Sequence, residues 1–186
     1  LNIGRFKLGA MCVGGMKLMV HESVRYANER QQFGKSISNF GAIKAKLGEQ
    51  AILTWVGEAM TYRTLGLIEA GIGAVDSKDL DARLRAIEEY AAECSIIKVA
   101  LSEYCNHVAD EVVQIFGGYG YSADYPAERA YRDSRINRIF EGTNEINRML
   151  IPGRLMKSAI SGRLALLPAA QALMDEVLSP QMSGFD

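Results

Sequence analysis

The stretch from Asp79 to Phe116, DLDARLRAIEEYAAECSIIKVALSEYCNHVADEVVQIF, decides the fold class of this chain. Leu84, Ile87, Ala91, Cys94, Ile97, Leu101, Tyr104, Val108, Val112 and Ile115 recur at steps of three or four. That spacing lays one apolar stripe along a helix and leaves most charged residues between its turns. Asp79 stands just before the first turn, where a short carboxylate side chain can accept from an orphan backbone N–H. The pattern predicts one long helix from an Asp79 cap to Phe116. Nowhere do apolar and polar residues alternate at the period of a strand, so the chain reads as all-α.

Toward the N-terminus, Phe6, Ala10, Val13, Met16, Val20, Val24 and Ala27 predict an amphipathic helix over Arg5 to Glu29. Gly14-Gly15 in its middle costs ~1 kcal/mol per glycine relative to alanine, which close helix–helix approach would offset. A second helix is predicted from an Asn39 cap to about Ile68. Its stripe Ile43, Leu47, Ala51, Trp55 and Ala59 is flanked by a second one, Ile52, Val56 and Met60. So broad an apolar face predicts burial on two sides, inside a bundle or at a subunit contact. Gly71 to Lys78 reads as an exposed loop. Long helices with short connections pack as antiparallel neighbours, here an up-and-down four-helix-type bundle with additional short helices.

Toward the C-terminus, Gly117-Gly118 follows the central helix. The pair either caps that helix or lets a cofactor approach the backbone, with the Gln114 amide nearby. It is not a dinucleotide fingerprint, because a helix rather than a strand precedes it. Tyr125-Pro126 opens a short helix, whose Arg129, Arg132, Asp133, Arg135 and Arg138 form a charged, solvated face by default. Thr143 is the expected N-cap of a helix to about Met156, with a possible kink at Pro152. Its first-turn N–H groups offer a site for an acceptor. Ser161-Gly162-Arg163 reads as a linker before a helix from Leu166, and Ser179 to Asp186 as a fraying tail.

Glu141 lies between Ile139-Phe140 and Gly142-Thr143. Two readings stand side by side: a solvated helix-end carboxylate, or one desolvated by apolar neighbours and suited to act as a general base. Arg30 either complements a helix C-terminus or presents its planar fork to a phosphate. The 186 residues carry a formal net charge of -1, which argues against a dedicated nucleic-acid surface. No apolar run reaches the ~20 residues of a transmembrane helix. Cys12, Cys94 and Cys105 suit reduced intracellular thiols. His21 and His107 lack metal-site spacing, so no metal is expected. The start at Leu1, without Met or polar lead-in, reads as a piece of a longer polypeptide.

In chain order, LNIGRF, ANERQQFGK, QIFGGYGY and YRDSRINRIFEGTNEINRML together resemble the C-terminal helical domain of the acyl-CoA dehydrogenases. NFGAIKAKL and the LPAAQALM extension are most similar to the very-long-chain branch. This resemblance implies FAD-dependent α,β-dehydrogenation of fatty acyl-CoA thioesters to trans-2-enoyl-CoA, with Glu141 removing the α-proton while flavin takes the β-hydride. It implies that Asn2, Ile3, Gly4 and Arg5 border the acyl-CoA pocket and that Gly142 lies against the thioester. It further implies that Arg30, Phe33, Gln114, Ile115, Phe116, Gly117, Gly118, Thr143, Asn144 and Glu145 contact FAD, converging on one cofactor. Phe40-Gly41 departs from the Phe-Gln pair of many relatives, so the contact of that amide is missing.

The resemblance makes residues 1–157 the C-terminal bundle domain and 158–186 the start of a C-terminal extension. The N-terminal helical and middle β domains that complete the site are then absent, and the chain by itself is expected to be inactive. It also implies an electron-transferring flavoprotein as electron acceptor and a homodimer or homotetramer. The expected location is intracellular: cytoplasmic in a bacterium, the mitochondrial matrix or its inner membrane in a eukaryote. Two alternatives compete, an acyl-CoA oxidase on the same fold and an assembly module in which the faces around Trp55 and Met60 oligomerise and Glu141 only caps. A di-iron bundle fails because paired Glu-x-x-His motifs are missing.

Overall fold

A computed structural model describes residues 1–179; the expected fraying tail falls, beyond Ser179, outside the described residues. The long helices are α1 (Asn2–Glu29), α2 (Gly41–Gly73), α4 (Ala91–Phe116) and α6 (Asn144–Ile160). Shorter ones are α3 (Leu80–Glu89), α5 (Pro126–Ser134) and α7 (Leu166–Leu178). Arg5 bonds Ser95 and Tyr26 bonds Phe116, so α1 and α4 run parallel. Lys46 pairs with Glu111 while Gly57 lies against Leu101, which sets α2 antiparallel to α4 and hence to α1, and Arg148–Glu103 with Arg154–Glu88 set α6 antiparallel to α4. The result is the expected up-down-up-down bundle. Among the described residues, no helix is long and apolar enough to cross a membrane.

The core is the α1–α4 seam, where Leu8, Cys12, Val13, Met16 and Met19 meet Ile97, Leu101, Cys105, Val108, Val112 and Phe116. The buried face of α1 is rotated from the expected one: Leu8, Cys12 and Met19 go inside and Val24 is exposed. Adjacent stripes on a helix differ by one residue of rotation, and the partner helix decides between them. Close approach occurs not at Gly14-Gly15 but at Gly9, where an added Cβ would meet Ile97 of α4, and at Gly57, where it would stand 2.7 Å from Leu101 Cδ2.

The second helix buries the face opposite to the expected one. Gln50, Thr54, Gly57, Thr61 and Thr64 turn inward, while Ile52, Trp55 and Tyr62 lie exposed. Thr54 and Thr61 are accommodated because their hydroxyls donate to the carbonyls of Gln50 (2.7 Å) and Gly57 (2.8 Å). Small side chains at this three-helix junction allow the axes to approach; a Trp there would overpack it.

Three local expectations need correction. The central helix breaks at Tyr90 (φ -93°, ψ 26°) into α3 and α4, because Ala86 and Tyr90 lean on Gly71 of α2 whereas α4 packs on α1. Asp79 does cap α3, accepting from Ala82 N at 2.8 Å. Asn39 caps nothing; its amide donates to Ser36 Oγ at 2.7 Å, and α2 starts after Phe40. Finally, Gln31–Gln32 (β1) pairs with Lys35–Ser36 (β2) around Phe33-Gly34. A two-residue ladder is too short to show alternation; its signal is the turn, with φ 53° at Phe33 and 80° at Gly34.

Candidate active site

Between α5 and α6 the chain reverses through two consecutive left-handed residues, Glu141 (φ 58°) and Gly142 (φ 83°). Thr143 then caps α6, as expected, accepting from Ile146 N at 3.4 Å. The Glu141 carboxylate lies over the backbone of Gly4 near the start of α1: a Cβ at Gly4 would stand 2.6 Å from either oxygen. Arg5, 5% exposed, donates through Nε to the Glu141 carbonyl (3.3 Å) and through Nη1 to Ser95 Oγ (3.4 Å). Asn2 to Arg5 and Glu141-Gly142 therefore meet at one end of the bundle. Glu141 is half-buried, and its neighbours Ile139 and Phe140 are exposed.

The start of α6 is bolted to α4 from below. Asn144 is buried, with Oδ1 accepting from Lys98 Nζ (2.7 Å) and Nδ2 donating to Glu103 Oε1 (3.0 Å). Its side chain is thus taken up inside the fold, leaving its backbone for any ligand at the helix start. Burial holds Lys98, fully enclosed, below the ordinary lysine value, and the neighbouring Glu145 carboxylate opposes that shift. Arg148 reaches both oxygens of Glu103 (2.6 and 2.8 Å). That guanidinium, with the Asn144 amide, holds the Glu103 carboxyl below the usual carboxylate range.

A second cluster forms at the far end of α1. A cavity of about 590 Å³ is lined by Tyr26, Arg30, Phe33, Phe40, Ile115, Phe116, Gly117, Gly118 and Tyr119, among others. Tyr26 stacks on Phe116 (centroids 4.0 Å, 13°), and its hydroxyl donates to the Phe116 carbonyl at 3.2 Å. The Arg30 guanidinium sits 5.4 Å from the Tyr119 ring centre. Gly117 ends α4 at φ 60°, ψ -138°, a region that essentially only glycine occupies. Gln114 is exposed on the last turn but does not line the cavity.

These two clusters do not converge. A helix of 28 residues rising 1.5 Å per residue separates them by roughly 40 Å. The expectation that Arg30, Phe33, Gln114 to Gly118 and Thr143 to Glu145 meet on one cofactor fails within a single chain, because α1 and α4 run parallel and carry their two ends apart. What sequence reading missed is the support of the Glu141 turn by the Asn147 amide, the bond from Arg5 to Ser95, and the buried Lys98 beneath Asn144. A signal existed: Lys98 follows Ile97 on the buried stripe of α4, and Asn147 lies one turn after Asn144 on the face of α6 that meets α4.

The family model for the acyl-CoA dehydrogenase C-terminal domain matches residues 1–156. The chain is 46% identical over 181 residues to a probable acyl-CoA dehydrogenase of Bacillus subtilis (strain 168), covering 96% of this chain and 30% of that protein. It is 38% identical over 151 residues to the mitochondrial very long-chain specific acyl-CoA dehydrogenase of Mus musculus, covering 81% and 21%. A crystal structure of an acyl-CoA dehydrogenase complexed with FAD from Bacillus anthracis superposes with a TM-score of 0.92 at 48% identity, over 100% of this chain and 32% of that one. The chain thus spans less than a third of the length of these relatives.

Proposed function

The chain belongs to the acyl-CoA dehydrogenase family, through that family's C-terminal domain, and from this premise we propose that it supplies the base for FAD-dependent dehydrogenation of fatty acyl-CoA thioesters to trans-2-enoyl-CoA. The observation that carries the reading is the Glu141 carboxylate held over Gly4 by a left-handed turn that Arg5 and Asn147 brace. A carboxylate fixed in this way is ready to take an α-proton onto one oxygen, and the absent Cβ of Gly4 leaves it room. Asn2, Ile3 and Gly142 border the same space and are proposed to face the acyl-CoA.

The far cavity fits an anionic aromatic dinucleotide: it offers one guanidinium, stacked rings and a glycine turn that lets a ligand approach the backbone. FAD, when bound, would supply the acceptor for the β-hydride. Since the two ends lie too far apart to serve one cofactor, each complete site takes Glu141 and Thr143 to Glu145 from one copy and Arg30, Phe33 and Ile115 to Gly118 from another, as a homodimer or homotetramer. The open Ile52–Trp55–Tyr62 face of α2 supports self-association. Residues beyond 157 begin an extension, and an electron-transferring flavoprotein is the proposed electron acceptor. In the full-length protein, E141Q should abolish acyl-CoA oxidation while flavin content stays unchanged; retained turnover would overturn the base assignment.

A further inference from the structure

A glutamate at φ 58° is strained and persists only where its surroundings over-determine the backbone. One side chain holds two carbonyls of the turn. Asn147 is fully buried on the second turn of α6, and its Nδ2 lies 2.8 Å from the Gly142 carbonyl, 3.0 Å from that of Thr143 and 3.5 Å from that of Glu141. An NH2 group has two protons, so the two short bonds go to Gly142 and Thr143 and the Glu141 carbonyl falls chiefly to Arg5 Nε. The turn closes tightly over the amide: a Cβ at Gly142 would stand 3.2 Å from Nδ2.

The other half of this amide does nothing for the fold. Among the described residues Asn147 Oδ1 is buried without a hydrogen-bond partner, and a half-satisfied buried amide costs folding energy that an apolar side chain of similar size would not. What the amide contributes is the pose of the turn. We propose that Asn147 is a positioning residue for the dehydrogenation, gathering the carbonyls of the Glu141–Thr143 turn on one side and thereby setting the Glu141 carboxylate over Gly4. The inference rests on Glu141 being the base.

The test uses the full-length protein with bound FAD and compares wild type, N147L, N147Q and E141Q. N147L should lower kcat about tenfold or more, change KM less than about threefold, and raise the isotope effect with α-deuterated acyl-CoA, because a misplaced base makes proton removal more limiting. N147Q, which keeps an NH2 donor, should recover part of kcat. A crystal structure of N147L should show the carboxylate displaced from Gly4. Wild-type kcat and isotope effect in folded N147L would overturn the proposal. If N147L does not fold, N147S keeps a hydroxyl donor in less volume: reduced kcat with retained KM supports the proposal, and wild-type kcat overturns it. Turnover by E141Q would instead overturn the base assignment beneath it.

Discussion

At Gly4 two effects of one methyl group have opposite signs. Replacing a helical glycine by alanine ordinarily stabilises by about 0.5–1 kcal/mol. Here the methyl would stand 2.6 Å from the Glu141 carboxylate and push it aside. G4A in the full-length protein is therefore expected to melt no lower than wild type yet to lose about tenfold or more in kcat; steady-state kinetics beside a thermal melt checks both. Gly66, with none of the described residues within 4 Å of an added Cβ, is the control: G66A should raise stability by about 0.4–1 kcal/mol. At this scale local chemistry marked Thr143 as a cap and left Glu141 between a helix-end carboxylate and a base, and the family resemblance singled out Glu141 and Gly142. The sequence left Asn147 unread because an amide on a helix face looks solvated until the turn it braces is folded against it.

Between elements, the α4–α6 joint and the three-helix junction behave differently. Glu103, paired with Arg148 and Asn144, has a folded value below the ordinary 4.5. Its contribution is therefore complete above the unfolded value and lost as pH falls through the folded one. Wild-type melting temperature should drop between about pH 5 and pH 3 more steeply than that of E103Q, which starts lower and lacks this dependence; melts across that range decide it. At the junction, Gly57 has Leu101 Cδ2 2.7 Å and Met16 Cε 3.2 Å from an added Cβ. G57V should destabilise by about 1–3 kcal/mol through overpacking, measured by urea unfolding. Periodicity located α1, α2 and α6, Pro126 marked the start of α5, and the Asp79 and Thr143 caps were legible from side-chain chemistry. The break at Tyr90 was not, because the apolar stripe continues through it and only the competing pulls of α2 and α1 separate α3 from α4.

Across the whole molecule, the separation of the two clusters makes a prediction about mixed oligomers. If each site draws Glu141 from one copy and Arg30 from another, R30A and E141Q subunits, each nearly inactive alone, complement when co-assembled. Random pairing makes half the dimers mixed with one intact site of two, so activity should return to about a quarter of wild type; no recovery would place both groups on one chain's site. The sequence by itself determined the all-α class, the order of helices, the family and which carboxylate is proposed as the base, because each follows from local periodicity or from short contiguous motifs. Only the tertiary structure decided that the residues proposed to face the cofactor lie at opposite ends, that α2 hides its threonines and shows its tryptophan, and that Asn147 braces the strained turn at Glu141. Those depend on which faces meet and in which direction helices run, and residues far apart in the chain settle both by packing.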